Sequence, residues 1–128
     1  SGEVSMSFVT SLSAIPQAKN PKLRALAVAG TQRLPQLPDV PTISEAGVPG
    51  YEFYAWFGLL APKGTPSEVV NKLNAAMVAA QDDPQVQQQF QQLGATGEKQ
   101  SPQQFGEFIQ AEINKWAPVV QASGAKEE

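Results

Sequence analysis

The side chains able to do chemistry in this sequence are carboxylates and hydroxyls, because it contains neither histidine nor cysteine. Their absence removes the Ser-His and Cys-His nucleophile pairs, and with them the imidazole and thiolate ligands that dominate zinc sites. Catalysis by paired carboxylates is the route left, and the acids are poorly spaced for it. Glu45 and Glu52 stand apart in loop-like sequence, and Asp82-Asp83 directly precedes Pro84 in a helix-cap position. These acids read as solvated or capping groups. No catalytic residue, no metal site and no cofactor is expected. Hydroxyls gather instead in Thr10-Ser11-Leu12-Ser13 and at Gly30-Thr31, suited to holding a partner by hydrogen bonds.

The elements around those two stretches place them at strand ends. Val4, Met6 and Phe8 alternate with Ser5 and Ser7, the pattern of a half-buried strand from Val4 to Thr10. A short helix follows, with Leu12, Ile15 and Ala18 on its apolar face, and ends before Asn20-Pro21. Leu23 to Ala29 is almost continuously apolar, as a strand covered on both faces would be, and Gly30 marks its end. A strand-helix-strand unit of this kind presents its functional loops at the carboxyl ends of the strands, here Thr10-Ser11 and Gly30-Thr31. Thr10, Ser11 and Ser13 are equally suited to capping the helix that follows them.

Thr31 to Gly50 holds Pro35, Pro38, Pro41 and Pro49 together with Gly47. That composition predicts a rigid, turn-rich excursion with at most a short helix over Thr42 to Ala46. Thr42 and Glu45 have the spacing of a capping box. Tyr51 to Ala61 is rich in aromatics with strand parity and reads as a third strand, its Tyr54, Trp56 and Phe57 being core aromatics on the simplest reading. Three helices follow, each opened by a capping side chain before proline: Thr65-Pro66, Asp83-Pro84 and Ser101-Pro102. Their apolar stripes run through Val69, Leu73, Ala76, Met77 and Ala80, then Val86, Phe90 and Leu93 up to Gly94, then Phe105, Phe108, Ile109, Ile113 and Trp116. Pro118 predicts a kink or an early end in the last of them.

With 128 residues, 41% of them hydrophobic, the chain is long enough for a core that buries about two thirds of its unfolded surface. The formal charge of −3, with Lys and Arg scattered singly, provides no basic stripe for nucleic acid. No stretch approaches the roughly 20 apolar residues of a membrane-spanning helix.

Two dense motifs carry a family resemblance. Leu37-Pro38-Asp39-Val40-Pro41-Thr42-Ile43-Ser44-Glu45-Ala46-Gly47, followed by Trp56-Phe57-Gly58-Leu59-Leu60-Ala61-Pro62-Lys63-Gly64-Thr65-Pro66, resembles the substrate-binding receptors of tripartite tricarboxylate transporters, the TctC or Bug family of bacterial periplasmic proteins. Gly2 to Phe8, Lys22 to Val28, Lys115-Trp116-Ala117 and Val119-Val120 extend the likeness almost end to end. Family members are more than twice this long, so the resemblance implies a C-terminal fragment. It implies an α/β fold like that of type II periplasmic binding proteins, carrying part of each lobe. Residues 1–50 would close one lobe, 51–60 would be the crossing hinge strand with Tyr54 and Trp56 as landmarks, and 61–128 would be the helical end of the other lobe.

The implied function is that of a periplasmic receptor for a small carboxylate, a dicarboxylate, amino-acid-like acid or aromatic acid, which it passes to membrane subunits of the transporter. Backbone N–H groups at helix N-termini, with hydroxyls, can hold a carboxylate without a buried arginine. On that reading Thr10 and Ser11 make polar contacts, Gly30 and Thr31 backbone contacts, and Phe8 shapes the pocket. Where the family often has an aspartate after the valine of the first strand, this sequence has Ser5, so any contact of that aspartate does not transfer. The competing class is a scaffold module without a small ligand, pairing with a second copy through exposed sheet edges.

Overall fold

Helices form where capping side chains, prolines and apolar stripes coincide, as a computed structural model of the chain, describing residues 3–125, shows. They are α1 (Ser11–Gln17), α2 (Ser67–Ala80), α3 (Pro84–Leu93) and α4 (Pro102–Ser123). The best-built start is that of α4. The Gln104 N–H donates to Ser101 Oγ at 3.2 Å and the Ser101 N–H donates to Gln104 Oε1 at 2.9 Å, a complete capping box. The start of α2 differs from expectation. Thr65 Oγ1 donates to the Pro62 carbonyl at 2.8 Å instead of capping, and Pro66 takes the N-cap position with no side-chain cap. Pro118 does not end α4, which runs on to Ser123 and stops at Gly124 with φ 67°. Pro118 lies in the last turns, where most of the helix already stands and only one backbone bond is forfeited.

The three expected strands are where the structure departs most. Among the described residues no ladder forms; the single β contact is a parallel bridge between Val28 and Thr42. A strand exists only when a neighbour satisfies its N–H and C=O groups. Segment 51–60 meets such a neighbour at Phe53, whose N–H donates to the Ala29 carbonyl, and no ladder grows from that bond among the described residues.

The described chain divides into two units. The first comprises residues 1–60 and 84–97, and in it α1 packs on α3. The second comprises residues 61–83 and 98–128, with α2 packed on α4. Residues 84–97 thus group with the first unit rather than with the rest of 61–128. The reason is the apolar stripe of α3, which needs a surface to cover and finds α1. In the second unit Asn74 Nδ2 donates to the Gln100 carbonyl at 2.8 Å, Lys99 pairs with Asp82, and Trp116 Nε1 donates to Glu112 Oε2 at 3.0 Å.

No hydrophobic side chain among the described residues is buried. Val4, Phe8, Phe57 and Leu60 are all more than 70% exposed. The chain exposes 10643 Å², whereas a folded monomer of 13.7 kDa exposes roughly 6600 Å² by surface-area scaling. The expected burial of two thirds of the unfolded surface is therefore not reached. The apolar side chains of residues 4–10 and 51–60 lie on the surface instead of in a core.

Candidate functional site

The Gly30-Thr31 turn is held in place by backbone bonds on both flanks. The Val28 N–H donates to the Pro41 carbonyl at 2.8 Å and the Ile43 N–H to the Val28 carbonyl at 2.9 Å. One residue on, the Phe53 N–H donates to the Ala29 carbonyl at 3.0 Å. The apolar run Leu23–Ala29 thus ends pinned between the 41–43 turn and residue 53. Thr31 meets Tyr54 there. Its N–H donates to Tyr54 Oη at 2.9 Å, and its Oγ1 lies 2.6 Å from the same oxygen, where either hydroxyl can donate. Gly30 is buried, and a Cβ on it would stand 3.0 Å from Tyr54 Cε1. The missing side chain is what lets the tyrosine ring lie against the turn.

The proline-rich excursion forms a rigid support beside it. Glu45 N–H donates to Thr42 Oγ1 at 3.1 Å and Thr42 N–H to Glu45 Oε2 at 2.8 Å, so the expected capping box is present, closing a turn rather than a helix. Thr42 is 2% exposed. Arg33 adds a link that sequence spacing did not reveal: Nε donates to Glu45 Oε2 at 2.9 Å and Nη1 to the Pro38 carbonyl at 3.0 Å. The Arg33 hydrogen bond, followed by that from the Thr42 backbone, holds the Glu45 carboxyl below the ordinary carboxylate range.

The second expected cluster is arranged differently. Thr10 sits at the N-cap of α1 with extended backbone, φ −69° and ψ 156°, but its hydroxyl caps nothing. Ser11 Oγ donates to the Gly94 carbonyl at 3.2 Å, which commits the hydroxyl to the α1–α3 packing. Gly94 itself has φ 63°, and a Cβ there would lie 2.7 Å from Ile15 Cδ1 and 3.3 Å from Ser11 Cβ. Phe8 is 73% exposed. Among the described residues no hydrogen bond joins Phe8, Thr10 or Ser11 to Gly30 or Thr31.

Of the two hinge landmarks, Tyr54 carries the bonds to Thr31, and Trp56 is 43% exposed. The Tyr54–Thr31, Arg33–Glu45 and Ser11–Gly94 contacts are the ones sequence reasoning did not supply. The residues of each pair lie 12 or more apart in the sequence, beyond any local pattern.

Comparison with known proteins places this geometry in a family. Residues 1–125 match the profile of the tripartite tricarboxylate transporter family receptor, TctC. A protein of the tcbD-tcbE intergenic region of Pseudomonas sp. strain P51 is 41% identical over 77% of this chain and 30% of its own length. BugT of Bordetella pertussis is 39% identical over 81% of this chain and 32% of its own. Among solved structures, R. palustris Rpa4515 with adipate matches at 37% identity and TM-score 0.80, covering 88% of this chain and 38% of that one. The periplasmic binding protein BugD matches at 34% identity and TM-score 0.81, covering 90% and 39%. This chain therefore spans about a third of the length of these relatives. The chain belongs to the tripartite tricarboxylate transporter receptor family, as its two motifs imply.

Proposed function

We propose that this chain is part of a periplasmic solute receptor that binds a small carboxylate and delivers it to membrane subunits of a tripartite transporter. The observation that carries the reading is the likeness to Rpa4515 with adipate over 88% of the chain. The chemistry of the chain suits it: no histidine or cysteine for catalysis, and a turn at Gly30-Thr31 rich in hydrogen-bonding groups. Gly30 and Thr31 are the proposed backbone contacts, with Thr10, whose hydroxyl caps nothing, Ser11 through its backbone, and Phe8 as apolar wall. The exposed apolar side chains of residues 4–10 and 51–60 are covered, on this reading, by the remainder of a type II, two-lobed receptor of the relatives' length. Residues 51–60 are its hinge, and Trp56 reports closure.

The test is calorimetric titration of the native polypeptide carrying this chain with adipate, glutamate and benzoate, together with Trp56 emission. Saturable binding of one of these acids is the expected result. A folded protein that binds none of them overturns the receptor reading in favour of the scaffold. Constant Trp56 emission during calorimetrically proven binding removes only the hinge assignment.

A further inference from the structure

The Thr31 N–H donates to Tyr54 Oη at 2.9 Å, and Thr31 Oγ1, itself able to donate, lies 2.6 Å from the same oxygen. When the Thr31 hydroxyl is the donor, the phenol oxygen accepts both bonds and its own proton is free, and among the described residues no group other than Thr31 bonds to it. The ring is held by the Gly30 notch, where a Cβ would stand 3.0 Å from Cε1, yet Tyr54 remains 52% exposed. In that orientation the result is a positioned hydroxyl with a free proton and two donors behind it. Such a chain is polarised toward an external acceptor, each bond strengthening the next by about 10–30%. A carboxylate is the acceptor this arrangement favours, since charge-assisted hydrogen bonds are roughly twice as strong as neutral ones.

We propose that Tyr54 is a ligand-contacting residue whose Oη–H, backed by Thr31 N–H and Oγ1–H, donates to a carboxylate oxygen of the solute. The inference rests on the receptor reading above and assigns Thr31 a different place in it. Thr31 acts behind the tyrosine, not directly on the ligand. On binding, the Thr31 hydroxyl turns its proton toward Tyr54 Oη and the phenolic proton turns to the ligand. No bond other than hydrogen bonds changes.

The experiment uses the native polypeptide carrying this chain, with the tightest-binding acid among adipate, glutamate and benzoate, and with the matching uncharged amide. Tyr54→Phe keeps the ring and removes the proton. It should weaken the acid about tenfold and move the amide by less than about twofold, a split that loss of structure alone would not produce. Thr31→Val removes one backing donor and should weaken the acid about threefold, and the double variant should bind no more weakly than Tyr54→Phe alone. If Tyr54→Phe fails to fold, the threefold loss in Thr31→Val still supports the proposal and an unchanged affinity there overturns it. Unchanged or tighter acid binding in a folded Tyr54→Phe overturns the proposal while leaving the receptor reading intact. Failure of the unsubstituted protein to bind any of the three acids overturns both.

Discussion

Replacing Gly94 by alanine should loosen α1 from α3 by an amount that the geometry divides into two parts. The first is backbone strain. Gly94 has φ 63°, where a residue with a Cβ costs about 1 kcal/mol. The second is steric, because the new methyl would stand 2.7 Å from Ile15 Cδ1 and 3.3 Å from Ser11 Cβ. Overpacking of this kind costs about 1–3 kcal/mol, and the lower end applies because Cδ1 is the far end of a side chain that can turn away. The total is about 2–3 kcal/mol. Gly124 provides the control, with φ 67° and nothing within 4 Å of its Cβ position, so Gly124→Ala should cost only about 1 kcal/mol. Ile15→Val removes Cδ1 itself. In its background the Gly94 substitution should become cheaper by about 1 kcal/mol, a coupling that a double-mutant cycle measures. Urea unfolding of the four variants, with hydrogen exchange at the α1 amides, is the assay. If Gly94→Ala costs no more than Gly124→Ala, or the coupling falls below about 0.3 kcal/mol, the packing argument is wrong.

Glu45 titrates below the ordinary glutamate range because Arg33 and the Thr42 N–H favour its charged form, so it stabilises the 41–46 turn above that range and the contribution is lost as pH falls through its lowered value; protection of the Thr42 amide from exchange should fall over that acidic interval and become insensitive to it in Glu45→Gln. Ser101→Ala removes half of the α4 capping box and should destabilise by about 1 kcal/mol in urea unfolding, against little change for Ser123→Ala at the other end. Pro118→Ala restores the N–H that can bond the Asn114 carbonyl and should raise stability by about 1 kcal/mol or more, seen as slower exchange in the last turns of α4.

What was legible in the sequence was local. The Thr42–Glu45 and Ser101–Gln104 boxes each span three residues, so their spacing alone names both partners. The helix stop at Gly94 was legible because glycine adopts positive φ at least cost, whereas the stop of α4 at Gly124, past Pro118, was not foreseen. Thr65 misled because a hydroxyl before proline can also turn back, and here it satisfies the Pro62 carbonyl. The strands misled for a different reason. Alternation in Val4–Thr10 and Tyr51–Ala61 records the environment the side chains are built for, but a ladder needs a second segment, and its identity is not local information. The Thr31–Tyr54 contact is of the same kind. Two residues 23 apart meet only because Phe53 bonds Ala29 and Gly30 leaves room for a ring.

The division of the chain also sets an order of events during synthesis. Neither unit is continuous: 84–97 belongs with 1–60, and 98–128 with 61–83. As the ribosome makes the chain, α1 lacks α3, the helix on which it packs, until α3 has emerged, and Ser11 cannot bond Gly94 before then. By that time α2 has already been made, and it waits for α4, the helix on which it packs. A pause between residues 97 and 102 would therefore leave the first unit able to assemble while a hydrophobic helix stood unpaired beside the exit tunnel. That interval is where a holdase chaperone would find this polypeptide.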